Sequence, residues 1–134
     1  VMIDEQTLLA YEQTDYKFSD ITINIGVYSD AVKQLLIPYA PLGAIFITAW
    51  NPMGKVVYDE QNHRANKKLK SILLEMGLTV IDGYGISPCG SWREDSFFAY
   101  PIDKHASQRL CEAFSQNAVV YVDNNGYPNL IFHS

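Results

Sequence analysis

The chain has 134 residues, 48% apolar and 19% charged, a length and balance that fit one globular domain and exclude a disordered chain. A formal charge of −5 and an isoelectric point near 5.0 argue against a nucleic-acid backbone binder, which needs a concentrated basic face. No charged-then-apolar leader and no apolar run approaching ~18 residues is present, so neither a secretory signal nor a membrane span is expected, and the location expected is cytoplasmic.

Residues 4–13 read as a short helix with acids in its first turn, where they suit the helix dipole. Residues 21–27, ITINIGV, alternate strictly and predict a strand buried on one side. Asp30 is placed to cap a helix over 31–37, which Pro38 and Pro41 end. Residues 43–50, GAIFITAW, are apolar on both faces and belong inside a covered sheet. A helix over about 60–76 stops at Gly77, and 78–82 form the next strand. The segment 82–92, DGYGISPCGSW, is rich in turn residues and reads as a structured loop. A strand at 96–101, a helix from an Asp103 cap to about Ser115 and a buried strand at 118–122 follow. Asn125-Gly126 then signals a hairpin into a strand at 129–133. This order predicts an α/β (or α+β) domain with a mixed central sheet of about five to six strands flanked by helices, strands 43–50 and 118–122 being central.

Several polar residues stand where apolar ones belong. On a helical wheel of 60–76, Ala65, Leu69, Ile72, Leu73 and Met76 form one arc, and Asn62 and Asn66 fall inside it, one turn apart. Asn51 ends the strand before this helix, and a strand–loop–helix unit brings those two ends to the same rim. A buried amide must be satisfied, so these asparagines either brace loop backbone or line a pocket for a polar ligand. In Trp92-Arg93-Glu94-Asp95-Ser96, strand alternation puts Trp92, Glu94 and Ser96 on one face. A glutamate between an aromatic ring and a hydroxyl is a candidate general acid or base, against the plainer reading of an exposed glutamate at a strand end. Gln116 and Asn117, before the strand at 118–122, either line the same site or cap the preceding helix.

The expected site therefore has Glu94 as its catalytic residue and Asn51, Asn62, Asn66, Trp92, Ser96, Gln116 and Asn117 as ligand-binding residues. Cys89, Cys111 and the three histidines lack metal-ligand spacing, so no metal or redox cofactor is implied. Amides read hydroxyls and amides, tryptophan stacks on flat rings or sugar faces, and glutamate handles protons. That set suits a nucleotide- or sugar-like small molecule, and hydrolysis or group transfer if a reaction occurs. The alternative is a non-enzymatic protein-interaction domain whose polar residues only brace loops; nine tyrosines and 13% aromatic residues suit an interface.

The same residues resemble a small bacterial family catalogued as domain of unknown function 3293. The resemblance rests on TAWNP (Thr48 to Pro52), on Glu60, Asn62 and Asn66, and on Gly83 and Gly85 leading to Trp92, Glu94, Ser96 and Phe97. It continues through Gln116, Asn117 and Ala118 to Gly126, Pro128 and Leu130, and runs from about Tyr11 to the C-terminus. It implies a stand-alone bacterial domain and brings no assigned activity. Trp50 departs from the pattern, since a smaller residue is expected before Asn-Pro, and a tryptophan there narrows the site or changes its specificity.

Overall fold

The structure is a computed structural model that describes residues 3–134. Helix α1 (Glu5–Gln13) starts at Asp4, whose carboxylate accepts the Thr7 N–H at 2.7 Å. Strands β1 (Asp15–Phe18) and β2 (Ile21–Ile23) form a short hairpin. Helix α2 (Asp30–Leu36) follows, and its cap is Ser29, one residue earlier than expected. Besides two 3-10 turns (Ile37–Tyr39 and Pro52–Gly54), the remaining elements are β3 (Gly43–Ile47), α3 (Asp59–Glu75), β4 (Thr79–Ile86), β5 (Arg93–Ile102), α4 (Lys104–Ala113), β6 (Ala118–Val122) and β7 (Pro128–Phe132). The sheet has seven strands in the order β2-β1-β4-β5-β3-β6-β7, and every pair is antiparallel.

Two expectations are corrected here. The sheet has seven strands instead of five to six, and it is antiparallel instead of mixed. The helix-linked segments suggested parallel neighbours, and the register shows why they are not. β3 and β4 run in the same direction, joined by α3, but β5 lies between them and is antiparallel to both. β5 and β6 are likewise joined by α4 and separated by β3. Residues 43–122 thus trace β-α-β-β-α-β with strand order β4-β5-β3-β6, the ferredoxin-like split arrangement. Both β3 and β6 are interior strands, as expected, while β5 takes the middle of the sheet.

Alternation divides the core into two layers. Ile45, Ile47, Phe97, Ala99 and Val119 face α3 and α4, where Leu69, Leu73, Leu110 and Cys111 cover them. Ala44, Phe46, Phe98, Tyr100 and Val120 face the other way, against Phe18, Ile23 and the Val32 and Leu36 of α2. The Phe18 and Phe98 rings stack with centroids 3.8 Å apart. α3 closes with the Gly77 N–H on the Leu74 carbonyl and the Leu78 N–H on the Leu73 carbonyl, a Schellman ending. The loop after β2 ties one end of the strand order to the other: Gly26 N–H donates to Pro128 O and Ser29 N–H to Gly126 O, both at 2.8 Å. Gly126 has φ +91° and sits against the Ser29 carbonyl, 2.6 Å from where a Cβ would stand, so only glycine fits. No helix among the described residues is long and apolar enough to cross a membrane.

Candidate functional site

The loop that leaves β3 is held by asparagines. Asn51 adopts a left-handed conformation, φ 45°, which asparagine tolerates better than most residues. Its N–H donates to Asn62 Oδ1 at 2.8 Å, and Asn62 Nδ2 donates back to Asn51 Oδ1 at 2.9 Å. The same Asn51 oxygen accepts the Val57 N–H at 3.2 Å, closing the loop on itself. One turn on, Asn66 Oδ1 accepts the Ala49 N–H at 2.7 Å and Asn66 Nδ2 donates to the Asp95 carbonyl at 2.9 Å. Thr48 Oγ1 donates to that carbonyl at 2.6 Å. Asn66 therefore pins the end of β3 to the start of β5, beyond the last β3–β5 ladder pair, Ile47 with Phe97. Asn62 and Asn66 are 1% and 5% exposed, and their hydrogen bonds go to backbone, to Asn51 and to the Thr48 hydroxyl.

The cavity lies on the opposite face of the sheet. It has a volume of about 180 Å³. Its floor is the α1 side of the sheet: Tyr16 of β1, Gly85 of β4, Glu94 and Ser96 of β5, and Phe46 of β3. Tyr11 of α1, Trp50, Asn51, Trp92, Gln116 and Asn117 form its walls. The register explains the convergence, because Tyr16 pairs with Gly85 and Gly85 pairs with Glu94, setting the three side by side. Gly85 leaves the middle of that row without a side chain. A Cβ there would meet Thr14 and Tyr16 only at ordinary van der Waals distance, 3.4–3.9 Å.

α1 is docked by one hydrogen bond that spans the chain and two local ones. Tyr11 Oη donates to Ala118 O at 3.4 Å, Tyr16 Oη donates to Tyr11 O at 3.0 Å, and buried Thr14 donates to Ala10 O at 2.6 Å. Under this cover Glu94 is half-buried, and among the described residues its carboxylate has no hydrogen-bond or ion-pair partner. Burial alone pushes its pKa up to about 7, so near neutrality it both gives and takes a proton. Burial first, then the charge on Glu94 among smaller causes, raises Tyr11 to about 12 and Tyr16 further, so both phenols stay protonated. Asn117 also presents a side-chain amide with no hydrogen bond among the described residues.

Of the residues expected from sequence, the fold gathers Asn51, Trp92, Glu94, Ser96, Gln116 and Asn117 around one cavity. Asn62 and Asn66 are not in its lining: they belong to the α3 face, with the sheet between them and Glu94. Gln116 lines the cavity while its Nε2 donates to Trp50 O at 3.4 Å and Phe114 O at 3.2 Å. Trp50 turns its ring to His63 edge-on, with centroids 5.0 Å apart, and also borders the cavity. Tyr11, Tyr16 and Phe46 were not singled out from sequence. The available signal was the alternation of Asp15-Tyr16-Lys17-Phe18, which puts Tyr16 and Phe18 on one face. Cys89 is exposed and Cys111 buried, and both are free thiols. No group of three His, Cys, Asp or Glu among the described residues is placed to hold a metal ion.

Fold and cavity together define a ferredoxin-like α/β domain whose sheet is extended by the β1–β2 hairpin and whose face away from α3 and α4 is covered by α1 and α2. The chain belongs to the family described as "Protein of unknown function (DUF3293)", which matches residues 47–119, from the end of β3 to the start of β6. No curated protein and no solved structure matches it.

Proposed function

We propose that the cavity over β4 and β5 binds a small molecule of single-ring size, with Glu94 exchanging a proton with it. The observation that carries this reading is the unpartnered Glu94 carboxylate at the cavity floor. Leaving such a group half-buried destabilises the fold, and a ligand that hydrogen-bonds it relieves the penalty. At about 180 Å³ the cavity is smaller than the roughly 300–1,000 Å³ clefts that hold drug-sized ligands, so it takes the base or sugar ring of a nucleotide- or sugar-like molecule, not the whole of a large one. Trp50, Trp92 and Tyr11 offer stacking surfaces, and the amides of Asn51 and Asn117 read ring substituents. A carboxyl titrating near 7 suits general acid/base work, so hydrolysis or group transfer is the reaction class favoured. A cytoplasmic location fits the free thiols of Cys89 and Cys111.

The test is a thermal-shift screen of nucleobases, nucleosides and monosaccharides. A stabilising ligand whose effect is lost in both Glu94→Gln and Asn117→Ala supports the site. Hits indifferent to both substitutions move it elsewhere. One observation favours the alternative of an interaction domain: the 51–58 loop braced by Asn62 carries Val56 and Tyr58 at 87% and 82% exposure. That reading predicts partner binding abolished by Tyr58→Ala and untouched by Glu94→Gln.

A further inference from the structure

Charge and aromatic surface narrow the ligand further, on the reading that the cavity is a binding site. Among the described residues that line it there is no lysine, arginine or histidine, and Glu94 is the one charged side chain. Tyr11, Tyr16, Phe46 and Trp92 line the cavity with it, and Trp50, whose ring meets His63 edge-on, stands at the border. The face of an aromatic ring is electrically negative, so all these walls repel anions and attract cations. A phosphate or carboxylate inside would meet a desolvated carboxylate of its own sign with nothing to neutralise it. A neutral ring leaves the carboxylate without a countercharge. A positively charged ring system satisfies carboxylate and aromatic faces together, and the lone amide of Asn117 supplies an acceptor for a further N–H.

We propose that the cavity is a site for a small organic cation, a flat ring bearing an amidinium or protonated amine, whose charge pairs with the Glu94 carboxylate between the aromatic walls. Any phosphate or other anionic group on such a ligand lies outside, in solvent. Binding draws Glu94 into its ionised form and releases its proton. The titratable groups facing it are Tyr11 from α1 and Tyr16 from β1, both protonated throughout the neutral range. The lining residues of β3, β4 and β6 and of the 51–58 loop carry no titratable side chain.

Benzamidine and benzamide make a matched pair of probes: one planar ring each, nearly the same shape, one cationic and one neutral. Both are titrated by NMR into the wild-type protein, Glu94→Gln and Gly85→Ala, the last adding a methyl to the cavity floor at ordinary contact distance. The expected result is binding of benzamidine at least tenfold tighter than benzamide at pH 8. That preference disappears in Glu94→Gln, and Gly85→Ala weakens binding while circular dichroism shows an unchanged fold. Benzamidine affinity rises about tenfold from pH 6 to pH 8 as Glu94 ionises around 7, and benzamide affinity does not. Equal affinities for the two probes, both reduced by Gly85→Ala, overturn the cation assignment and leave the binding cavity standing. No binding of either, or binding that neither substitution alters, overturns both.

Discussion

Replacing Glu94 by glutamine isolates the energetic consequence of a carboxylate held without a partner. Glutamine keeps the shape and removes the ionisation. Burial lifts the carboxyl from its ordinary 4.5 to about 7 in the folded protein. At about 1.4 kcal/mol per pH unit, that gap is worth on the order of 3 kcal/mol against the folded state once the group is fully ionised. The sign follows from proton binding. Between the two values the folded protein holds the proton more tightly than the unfolded chain does. Stability from this group is therefore lost as pH climbs from about 4.5, and the loss is complete above about 7. Glu94→Gln escapes it. Urea denaturation of both proteins at pH 4.5 and pH 8 reads the difference directly, because every other titrating group is shared. The two proteins are expected to agree within about 1 kcal/mol at pH 4.5, and the variant to be more stable by about 2–3 kcal/mol at pH 8. For a domain of this size that is a melting-temperature gain of roughly 10 °C. A stability difference independent of pH, or a variant less stable at pH 8, refutes the isolated carboxylate.

The asparagines give the contrasting outcome. Asn66→Ala removes the acceptor for the Ala49 N–H, which is buried, and the donor to Asp95 O, so a loss of about 2–4 kcal/mol is expected in urea denaturation at any pH. Asn62→Ala opens the Asn51 loop and is expected to lower stability by about 2–3 kcal/mol while leaving Glu94 titrating as before, read by carboxyl 13C NMR. Gly126→Ala places a Cβ against the Ser29 carbonyl at positive φ, and a drop of about 2 kcal/mol with faster amide exchange at Gly26 and Ser29 is expected.

Sequence periodicity made most of the fold legible, and its failures are instructive. GAIFI and AVVYV announced interior strands because both of their faces are apolar, and all ten positions are buried. α3 was legible from its apolar arc. DYKF was missed because four residues of alternation give little signal, and its strand is fixed by pairing with β4, distant in sequence. GYGI looked like a loop from its glycines and is strand instead. Gly83 is there because the Lys17 carbonyl comes too close for a Cβ, and Gly85 leaves the cavity floor bare.

The candidate site divides along the same line. Asn62 and Asn66 were legible as buried amides, but wheel position cannot say whether protein or a ligand satisfies them; here backbone, Asn51 and Thr48 do. The face that carries Trp92, just before β5, and Glu94 and Ser96 of β5 was legible from alternation alone. What isolates Glu94 was not, because Tyr11 and Tyr16 reach it through the docking of α1 and β1, contacts with no local signature. Arrangement of the split β-α-β-β-α-β unit was hidden for the same reason: helix-linked strands read alike whether they become neighbours or admit a third strand between them.

Backbone amide NMR during a benzamidine titration asks on which face of the sheet ligand binds. Shifts are expected at Gly85, Glu94, Asn117 and Ala118, around the cavity under α1. Shifts confined to His63, Lys67, Lys70 and Tyr84, which border the open groove on the α3 face, contradict the account.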